Sequence, residues 1–87
     1  MKNVTFEGKA LAQFLEWLRE NPKMHQKIAE LIVAVAREPF QGIGKPEPLQ
    51  HELRGHWSRR IDDTHRLVYR VSDEAVTIVS CKYHYSK

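Results

Sequence analysis

The chain has little cysteine and no long apolar run. Cys81 is the single cysteine among 87 residues, which excludes an intrachain disulfide and a cluster of thiolate metal ligands. No stretch has the length of a transmembrane helix, and residues 1–7 lack the apolar run of a signal peptide. We therefore expect a cytoplasmic protein without membrane contact.

Several chemical signatures are missing as well. The chain has no glycine-rich loop for phosphates and no nucleophile elbow around a serine. Four of its histidines show no metal-ligand spacing; they are His25, His51, His56 and His65. The sequence thus predicts no metal site and no organic cofactor, so any catalysis would depend on the chain's own acids, bases and cations.

Length and charge describe a small basic domain. Eighty-seven residues with a net charge of +3 form one domain, residues 1–87, with one small core. Residues 45–70 contain six basic and four acidic side chains, and five of the six basic ones are arginine. Arginine suits phosphate because its planar fork donates two parallel hydrogen bonds. A solvated surface explains the same balance, so charge alone is weak evidence for an RNA partner.

The pattern of apolar residues predicts an α+β fold. Residues 2–6 alternate as a short strand, and two helical stripes follow, separated by the Asn21-Pro22 break and ended before Pro39. We expect both stripes to form the buried face of a helical hairpin. Their members are Leu11, Phe14, Leu15 and Leu18 in the first helix and Ile28, Leu31, Ile32 and Val35 in the second.

Three β-rich runs separated by two polar turns follow a loop rich in glycine and proline. The loop is 40–48, the runs are 57–61, 66–71 and 75–85, and the turns are 62–64 and 72–74. Consecutive hairpins form an antiparallel meander. The predicted fold is therefore an antiparallel sheet in the order β-α-α-β-β-β, with the helical hairpin on one face and the other face free for chemistry.

Alternation along the strands predicts which side chains share that free face. In the last run, Val76, Ile78, Ser80, Lys82 and His84 are expected on one side. A three-residue turn at 62–64 puts Arg60 opposite Arg66, whereas a two-residue turn puts Arg59 there, and the sequence leaves this register open. Either register brings two arginines together, which favours an anion between them.

The chain contains the side chains that metal-free RNA cleavage needs: a base for the 2′-hydroxyl, cations for the phosphorane and an acid for the 5′-oxygen. Glu47 is the candidate base, because prolines on both sides hold its backbone extended. His84 is the candidate acid, because imidazole titrates near neutral pH. Arg60 and Arg66 are the candidate phosphate clamps.

Each of these residues also has an ordinary structural interpretation. Glu47 can be incidental to a rigid loop, His84 can end a strand, and the arginines can form a salt-bridged strand face. Tyr83 and Tyr85 can stack on bases or pack on the helices. Each signal alone is weak, and their joint occurrence in one small chain is considerably stronger.

The same segments resemble the YoeB toxins, the Txe/YoeB branch of the RelE toxin superfamily. The segments are Gly44–Leu49, Trp57–Ile61, His65–Tyr69 and Cys81–Tyr85, with His51, Leu53 and Gly55 between them. The resemblance covers almost the whole C-terminal half in order and at compatible spacing. The N-terminal half is similar only in its strand-helix-helix character. Departures from the family pattern lie at Gln50, His56 and the Ser86-Lys87 extension.

This resemblance implies a ribosome-dependent mRNA endonuclease that cuts in the decoding site and is held in check by a YefM-type antitoxin. By position, Glu47 would be the base, Arg66 the phosphate stabiliser, His84 the acid and Tyr85 a supporting aromatic residue. The candidate RNA- or phosphate-binding residues are Lys45, His51, Arg59, Arg60, Lys82 and Tyr83. Contact with operator DNA is expected only through the antitoxin.

Two other functions compete with cleavage. One is a toxin of the same superfamily that blocks DNA gyrase by binding, which would not need Glu47, Arg66 and His84 together. The other is a non-catalytic module that acts as a DNA co-repressor with its antitoxin. The sequence leaves open codon preference, the identity of the antitoxin and the oligomeric state, including a homodimer.

Overall fold

The computed structural model describes residues 1–84 and confirms the α+β fold, with two helices on one face of a five-stranded sheet. The elements are β1 (Asn3–Phe6), α1 (Gly8–Glu20), α2 (Pro22–Arg37), β2 (Glu47–Pro48), a 3-10 turn (His51–Leu53), β3 (His56–Arg60), β4 (Arg66–Val71) and β5 (Ala75–Ser80). Within residues 1–84, no helix is both long and apolar enough to cross a membrane.

The two helices meet at Asn21, as the sequence predicts. Asn21 ends α1, and its side chain accepts a hydrogen bond from the Met24 N–H in the first turn of α2. Pro22 follows at the first helical position, where its missing N–H leaves no bond unmade. The predicted stripe of α2 is confirmed as the buried face; it consists of Ile28, Leu31, Ile32 and Val35.

The predicted buried stripe of α1 is wrong in three of its four members. Leu11, Leu15 and Leu18 are 46%, 51% and 51% exposed. The helix instead turns Ala10 and Trp17 into the core. Trp17 has a long-range partner, because its indole N–H donates to the carbonyl of residue 81, which follows β5. That bond and the small Ala10 let α1 lie close to the sheet, and the leucines are left on the adjacent outer stripe.

The sheet is mixed, whereas the sequence predicts an antiparallel one. The meander of β3, β4 and β5 is antiparallel as expected, but β1 runs parallel to β5 at the edge. The strand order is β1-β5-β4-β3-β2. The short strand β2 lies within the predicted loop and forms the other edge, where a proline can be accommodated without losing a ladder hydrogen bond.

A bulge near the end of β5 changes which side chains face the helices. Tyr69 pairs with Ile78, but the preceding residue, Val68, pairs with Ser80, so Val79 has no partner. An unpaired residue shifts the alternation by one. Ile78 and Cys81 therefore both lie in the core beneath the helices. The prediction that Ser80, Lys82 and His84 continue the face of Val76 and Ile78 is wrong, and the strand ends at Ser80 rather than at residue 85.

Candidate active site on the open face of the sheet

Cross-strand pairing aligns a row of residues on the sheet face that points away from the helices. Glu47 on β2 pairs with Ser58 on β3, Ser58 pairs with Val68 on β4, and Val68 pairs with Ser80 on β5. Directly opposed residues have their side chains on the same face. Glu47 therefore stands at the outer end of a row that crosses to the end of β5.

The two arginines lie in a second row, beside the first. Arg60 on β3 pairs with Arg66 on β4, two residues along each strand from Ser58 and Val68. This settles the register that the sequence leaves open, because Arg59 pairs with Leu67 instead. Arg60 and Arg66 therefore share a face with Glu47, and two neighbouring strands hold them about 5 Å apart at the backbone.

Arg59 does not join this pair, because its side chain is completely buried. Its guanidinium donates to the carbonyls of Glu38, Gln41 (2.9 Å) and Ile43 (3.0 Å), and its Nε donates to the hydroxyl of Tyr69 (3.2 Å). The expected contact of Arg59 with RNA does not fit this position, which offers no exposed surface. Arg59 instead holds together the loop that leads from α2 to Glu47.

The loop is also fastened from β3. The backbone N–H of Arg60 donates to the carbonyl of Gly44 at 2.6 Å. A side chain at Gly44 would lie 3.1 Å from both the Arg59 Cβ and the Arg60 carbonyl, and its φ of +85° suits glycine. Lys45 follows with φ +53°, and both Lys45 and Glu47 are exposed. The loop therefore presents a lysine and a carboxylate next to the arginine pair.

The Arg66 guanidinium is held by the β3–β4 turn. Its Nη1 donates to the carbonyls of Asp62 (2.7 Å) and His65 (3.0 Å). Among residues 1–84, no hydrogen-bond partner is found for its Nε or Nη2, so that edge of the fork is available to an anion. Arg60 is exposed. His51, the other predicted contact on this side, is exposed at the start of the 3-10 turn with φ +58°.

Asp62 organises the same turn. Its Oδ1 accepts from the backbone N–H groups of Thr64 (2.9 Å) and His65 (2.7 Å). Partial burial works against the charge, but these two backbone bonds, together with the charge of nearby Lys27, outweigh it and hold the pKa of Asp62 below its ordinary value of 3.8. The ionised carboxylate thus stabilises the turn that carries Arg66.

Beyond β5 the chain is fastened to α1. The N–H of Cys81 donates to the Gln13 side-chain oxygen at 2.7 Å, and the Cys81 carbonyl accepts from the Trp17 indole at 2.9 Å. Burial raises the pKa of the Cys81 thiol to about 12, so this side chain stays a neutral core group. The position beside Trp17 fixes where the next residues begin.

Lys82 is directed to α1 and not to the arginine pair. Its ammonium lies 3.0 Å from a Glu16 oxygen and 2.9 Å from a Glu20 oxygen, and its side chain is only 10% exposed. Hydrogen bonds to Glu20 and Glu16 raise the pKa of Lys82 above its ordinary value. The expectation that Lys82 lines a phosphate surface with Arg60 and Arg66 is therefore not supported by its contacts, because two carboxylates of α1 hold its ammonium.

Tyr83 is held on both sides of its backbone. Its N–H donates to Nδ1 of His65 at 2.7 Å, and its carbonyl accepts from the Arg66 N–H at 3.1 Å. Its φ is +63°, a left-handed conformation that is uncommon for a bulky residue and costs on the order of 1–3 kcal/mol. The residue is 61% exposed. Such a conformation persists only where surrounding contacts impose it.

His84 follows directly and borders a cavity of about 270 Å³ at the end of β5, which Lys9 and Gln13 of α1 also line. Val68 and Ser80, the inner members of the row that begins at Glu47, line the same cavity. The structure therefore puts the predicted base at the β2 edge, the arginine pair on the central strands and the predicted acid beyond β5. The predicted supporting residue, Tyr85, lies outside the described residues.

This order suits an in-line displacement at phosphorus, with a carboxylate on one side, cations in the middle and an imidazole on the other. Sequence reasoning missed His65, whose partner is 18 residues away. The sequence excludes His65 as a metal ligand and otherwise includes it only in the His65–Tyr69 segment, with no role of its own. No local pattern marks the contact, because it depends on how the segment after β5 returns to the turn before β4.

Comparison with known proteins identifies the family to which the chain belongs. Residues 6–85 match the family model described as YoeB-like toxin of bacterial type II toxin-antitoxin system. Toxin YoeB of Mycobacterium bovis is 54% identical over 85 residues, which cover 98% of this chain and all of that protein.

Two solved structures from Staphylococcus aureus are also similar. The YoeB dimer has 45% identity and a TM-score of 0.88, covering 97% of this chain and 98% of that one. The YoeB chain of the heterotetrameric YoeB-YefM toxin-antitoxin complex has 44% identity and a TM-score of 0.87, covering 98% and 99%. This chain therefore belongs to the YoeB family of toxins of bacterial type II toxin-antitoxin systems.

Proposed function

We propose that the protein is a ribosome-dependent endoribonuclease that cleaves mRNA by acid–base transesterification. Glu47 takes the proton of the 2′-hydroxyl, Arg66 and Arg60 stabilise the charge of the phosphorane, and His84 protonates the departing 5′-oxygen. The expected products are a 2′,3′-cyclic phosphate, or its opened form, and a 5′-hydroxyl end. The mechanism requires no metal ion or organic cofactor in the chemical step.

The observation that carries the proposal is the order of side chains across the open face. The carboxylate of Glu47 shares that face with the Arg60 and Arg66 pair, and His84 borders the cavity at the far end of the same row. A toxin that acts only by binding needs no carboxylate and imidazole on opposite sides of an arginine pair. Membership of the YoeB family supports the same conclusion.

The role of the ribosome follows from the family resemblance and from the openness of the site. Glu47 and His84 are both exposed, so nothing in the described residues encloses a substrate. An exposed site gains positioning only when a second surface holds the RNA. We infer that the ribosome supplies this surface and presents mRNA in the decoding site.

Inhibition is proposed to come from a YefM-type antitoxin, since a solved YoeB relative forms a heterotetrameric complex with YefM. Self-association is a second proposed assembly, because another relative is described as a dimer. Any contact with operator DNA is proposed to occur through the antitoxin.

The test is a single-turnover cleavage assay with purified ribosomes and His84→Gln. We expect the variant to fold and to bind ribosomes normally while the cleavage rate falls roughly 10²–10⁴-fold, the usual size of an acid–base contribution. His25→Gln is the matched control, because His25 lies on α2 and stacks on Phe14, on the helical side of the sheet. It should retain the wild-type rate.

Undiminished cleavage by folded His84→Gln would remove this residue from the mechanism. A wild-type protein that arrests translation without cutting mRNA would favour a toxin that acts by binding. Mapping the RNA ends in the same assay distinguishes transesterification, which leaves a 5′-hydroxyl, from hydrolysis that leaves a 5′-phosphate.

A further inference from the structure

The segment after β5 is held in place through three consecutive residues, Cys81, Lys82 and Tyr83. Only Tyr83 is held by a histidine. Cys81 is bound to Gln13 and Trp17, and Lys82 to Glu16 and Glu20, all on α1. These two attachments end before Tyr83. The orientation of Tyr83, and with it the direction in which the chain enters His84, depends on the β3–β4 turn.

The contact with that turn is made by the His65 ring. Its Nδ1 accepts the Tyr83 N–H at 2.7 Å, its ring meets Trp17 edge-on at 4.8 Å between centroids, and it lies 5.4 Å from the Tyr83 ring. A nitrogen that accepts carries no proton, so the neutral ring has its hydrogen on Nε2. The next residue, Arg66, donates its backbone N–H to the Tyr83 carbonyl.

We propose that His65 is a positioning residue, whose Nδ1 holds Tyr83 in its left-handed conformation and thereby orients His84 toward the phosphate held by Arg66. This inference rests on the proposed function, and it adds a residue that does not itself touch the RNA. It couples the two halves of the site, because His65, at the end of the β3–β4 turn, and Arg66, at the start of β4, supply both the Arg66 guanidinium and the two bonds that fix Tyr83.

The strained backbone of Tyr83 is the reason the bond is required. A tyrosine relaxes from positive φ to the extended region unless its neighbours prevent it. Relaxation would rotate the following residue away from the cavity that His84 borders with Val68 and Ser80. A displacement of about 1 Å at a catalytic group can lower a rate on the order of 10²-fold.

Two substitutions distinguish the effect of the hydrogen-bond acceptor from the effect of ring packing. His65→Asn keeps an acceptor oxygen near the position of Nδ1 and removes the ring. His65→Phe keeps a ring against Trp17 and Tyr83 and removes the acceptor. We expect His65→Phe to lower the single-turnover cleavage rate at saturating ribosomes about 10²-fold, with unchanged half-saturation, and His65→Asn to stay close to wild type.

Amide exchange of Tyr83 in the free protein gives a readout that is independent of cleavage. It should accelerate in His65→Phe and remain slow in His65→Asn. In the wild type, a ¹⁵N–¹⁵N coupling across the hydrogen bond between the Tyr83 amide and His65 Nδ1 reports the contact directly, even if a variant fails to fold.

The proposal is overturned if His65→Phe cleaves at the wild-type rate, or if His65→Asn loses as much activity as His65→Phe, which would assign the effect to ring packing. Absence of the coupling in a folded wild type also overturns it. A wild type that carries the coupling but does not cut mRNA on ribosomes would instead refute the proposed function and leave His65 a structural contact.

Discussion

At the scale of single residues, two neighbouring arginines of β3 have opposite surroundings. Arg59 is buried and bonded to the loop before β2, whereas Arg60 is exposed beside Arg66. The difference follows from strand alternation, which sends successive side chains to opposite faces. Chemically identical side chains one position apart therefore have different consequences when they are replaced.

Arg66→Lys is predicted to be damaging despite the retained charge. A point ammonium cannot reproduce a bidentate grip on the phosphorane, so the cleavage rate should fall about 10²-fold. Of the two carbonyls that accept from Nη1, at least one can still be reached, so the free energy of unfolding should change by about 1 kcal/mol or less. Single-turnover cleavage and urea denaturation measure the two quantities.

Arg70→Lys is the matched control for this variant. Arg70 lies on the same strand and the same face, but its partner is Glu7, in an exposed ion pair of little energetic weight. It should leave both rate and stability nearly unchanged. A large stability loss in Arg66→Lys with normal activity per folded molecule would identify Arg66 as a structural residue that holds the β3–β4 turn.

At the scale of elements, the loop between α2 and β2 depends on one buried guanidinium. Arg59→Met is predicted to lower the free energy of unfolding by roughly 2–4 kcal/mol, because the carbonyls of Glu38, Gln41 and Ile43 lose their donor. Arg60→Met should change stability by only about 0.5 kcal/mol while lowering cleavage. Urea denaturation should therefore show the larger stability loss for Arg59→Met, and cleavage assays should show the larger loss of activity per folded molecule for Arg60→Met. Equal stability losses in the two variants would contradict the structural role of Arg59.

The β3–β4 turn is predicted to make stability depend on acid pH through Asp62. Folding lowers the pKa of Asp62 from its ordinary value of 3.8. The ionised carboxylate therefore stabilises the fold at any pH above 3.8, and this contribution is lost as the pH falls through the folded-state pKa. Asp62→Asn keeps an acceptor oxygen for the Thr64 and His65 N–H groups but cannot ionise. The wild type should exceed it in stability at neutral pH, with the difference vanishing in acid.

Thermal denaturation of both proteins from neutral pH down through the acid range tests this. A difference that stays constant with pH would mean that charge has no part in the turn. Asp63→Asn is the control, because Asp63 lies in the same turn and is exposed.

At the scale of the whole molecule, two surfaces are available to a partner. One is the open face with Arg60, Arg66 and the segment that ends at His84; the other is the outer stripe of α1, where Leu11, Leu15 and Leu18 are about half exposed. An acidic antitoxin segment that folds on binding matches the cationic face. We expect it to cover this face and disturb the segment around Tyr83 and His84.

Hydrogen exchange on the complex with the antitoxin measures which surface is covered. Protection should appear in β3, β4 and the end of β5, and association should slow with added salt because charge steers the encounter. Protection confined to α1 and α2 would show that the antitoxin binds the leucine stripe and acts at a distance from Arg66.

Much of the fold could be predicted from local pattern. The Asn21-Pro22 break, the buried stripe of α2 and the β3-β4-β5 meander all depend on residues near one another in the chain, where periodicity and turn chemistry act directly. The chemical identity of the candidate site residues was likewise visible in the sequence. The predictions of the helix break, the buried stripe and the meander were correct because short-range rules are sufficient for them.

Only the tertiary structure decided the rest. The parallel pairing of β1 with β5 joins segments about seventy residues apart, and nothing local records it. The bulge at Val79 leaves composition unchanged but reverses the alternation after it, which sends Cys81 into the core. The contact of His65 with Tyr83 joins residues that are 18 positions apart, so no local pattern records it either. Sequence by itself determined which groups are present, and long-range pairing decided which of them meet, because a shift of one residue exchanges the two faces of a strand.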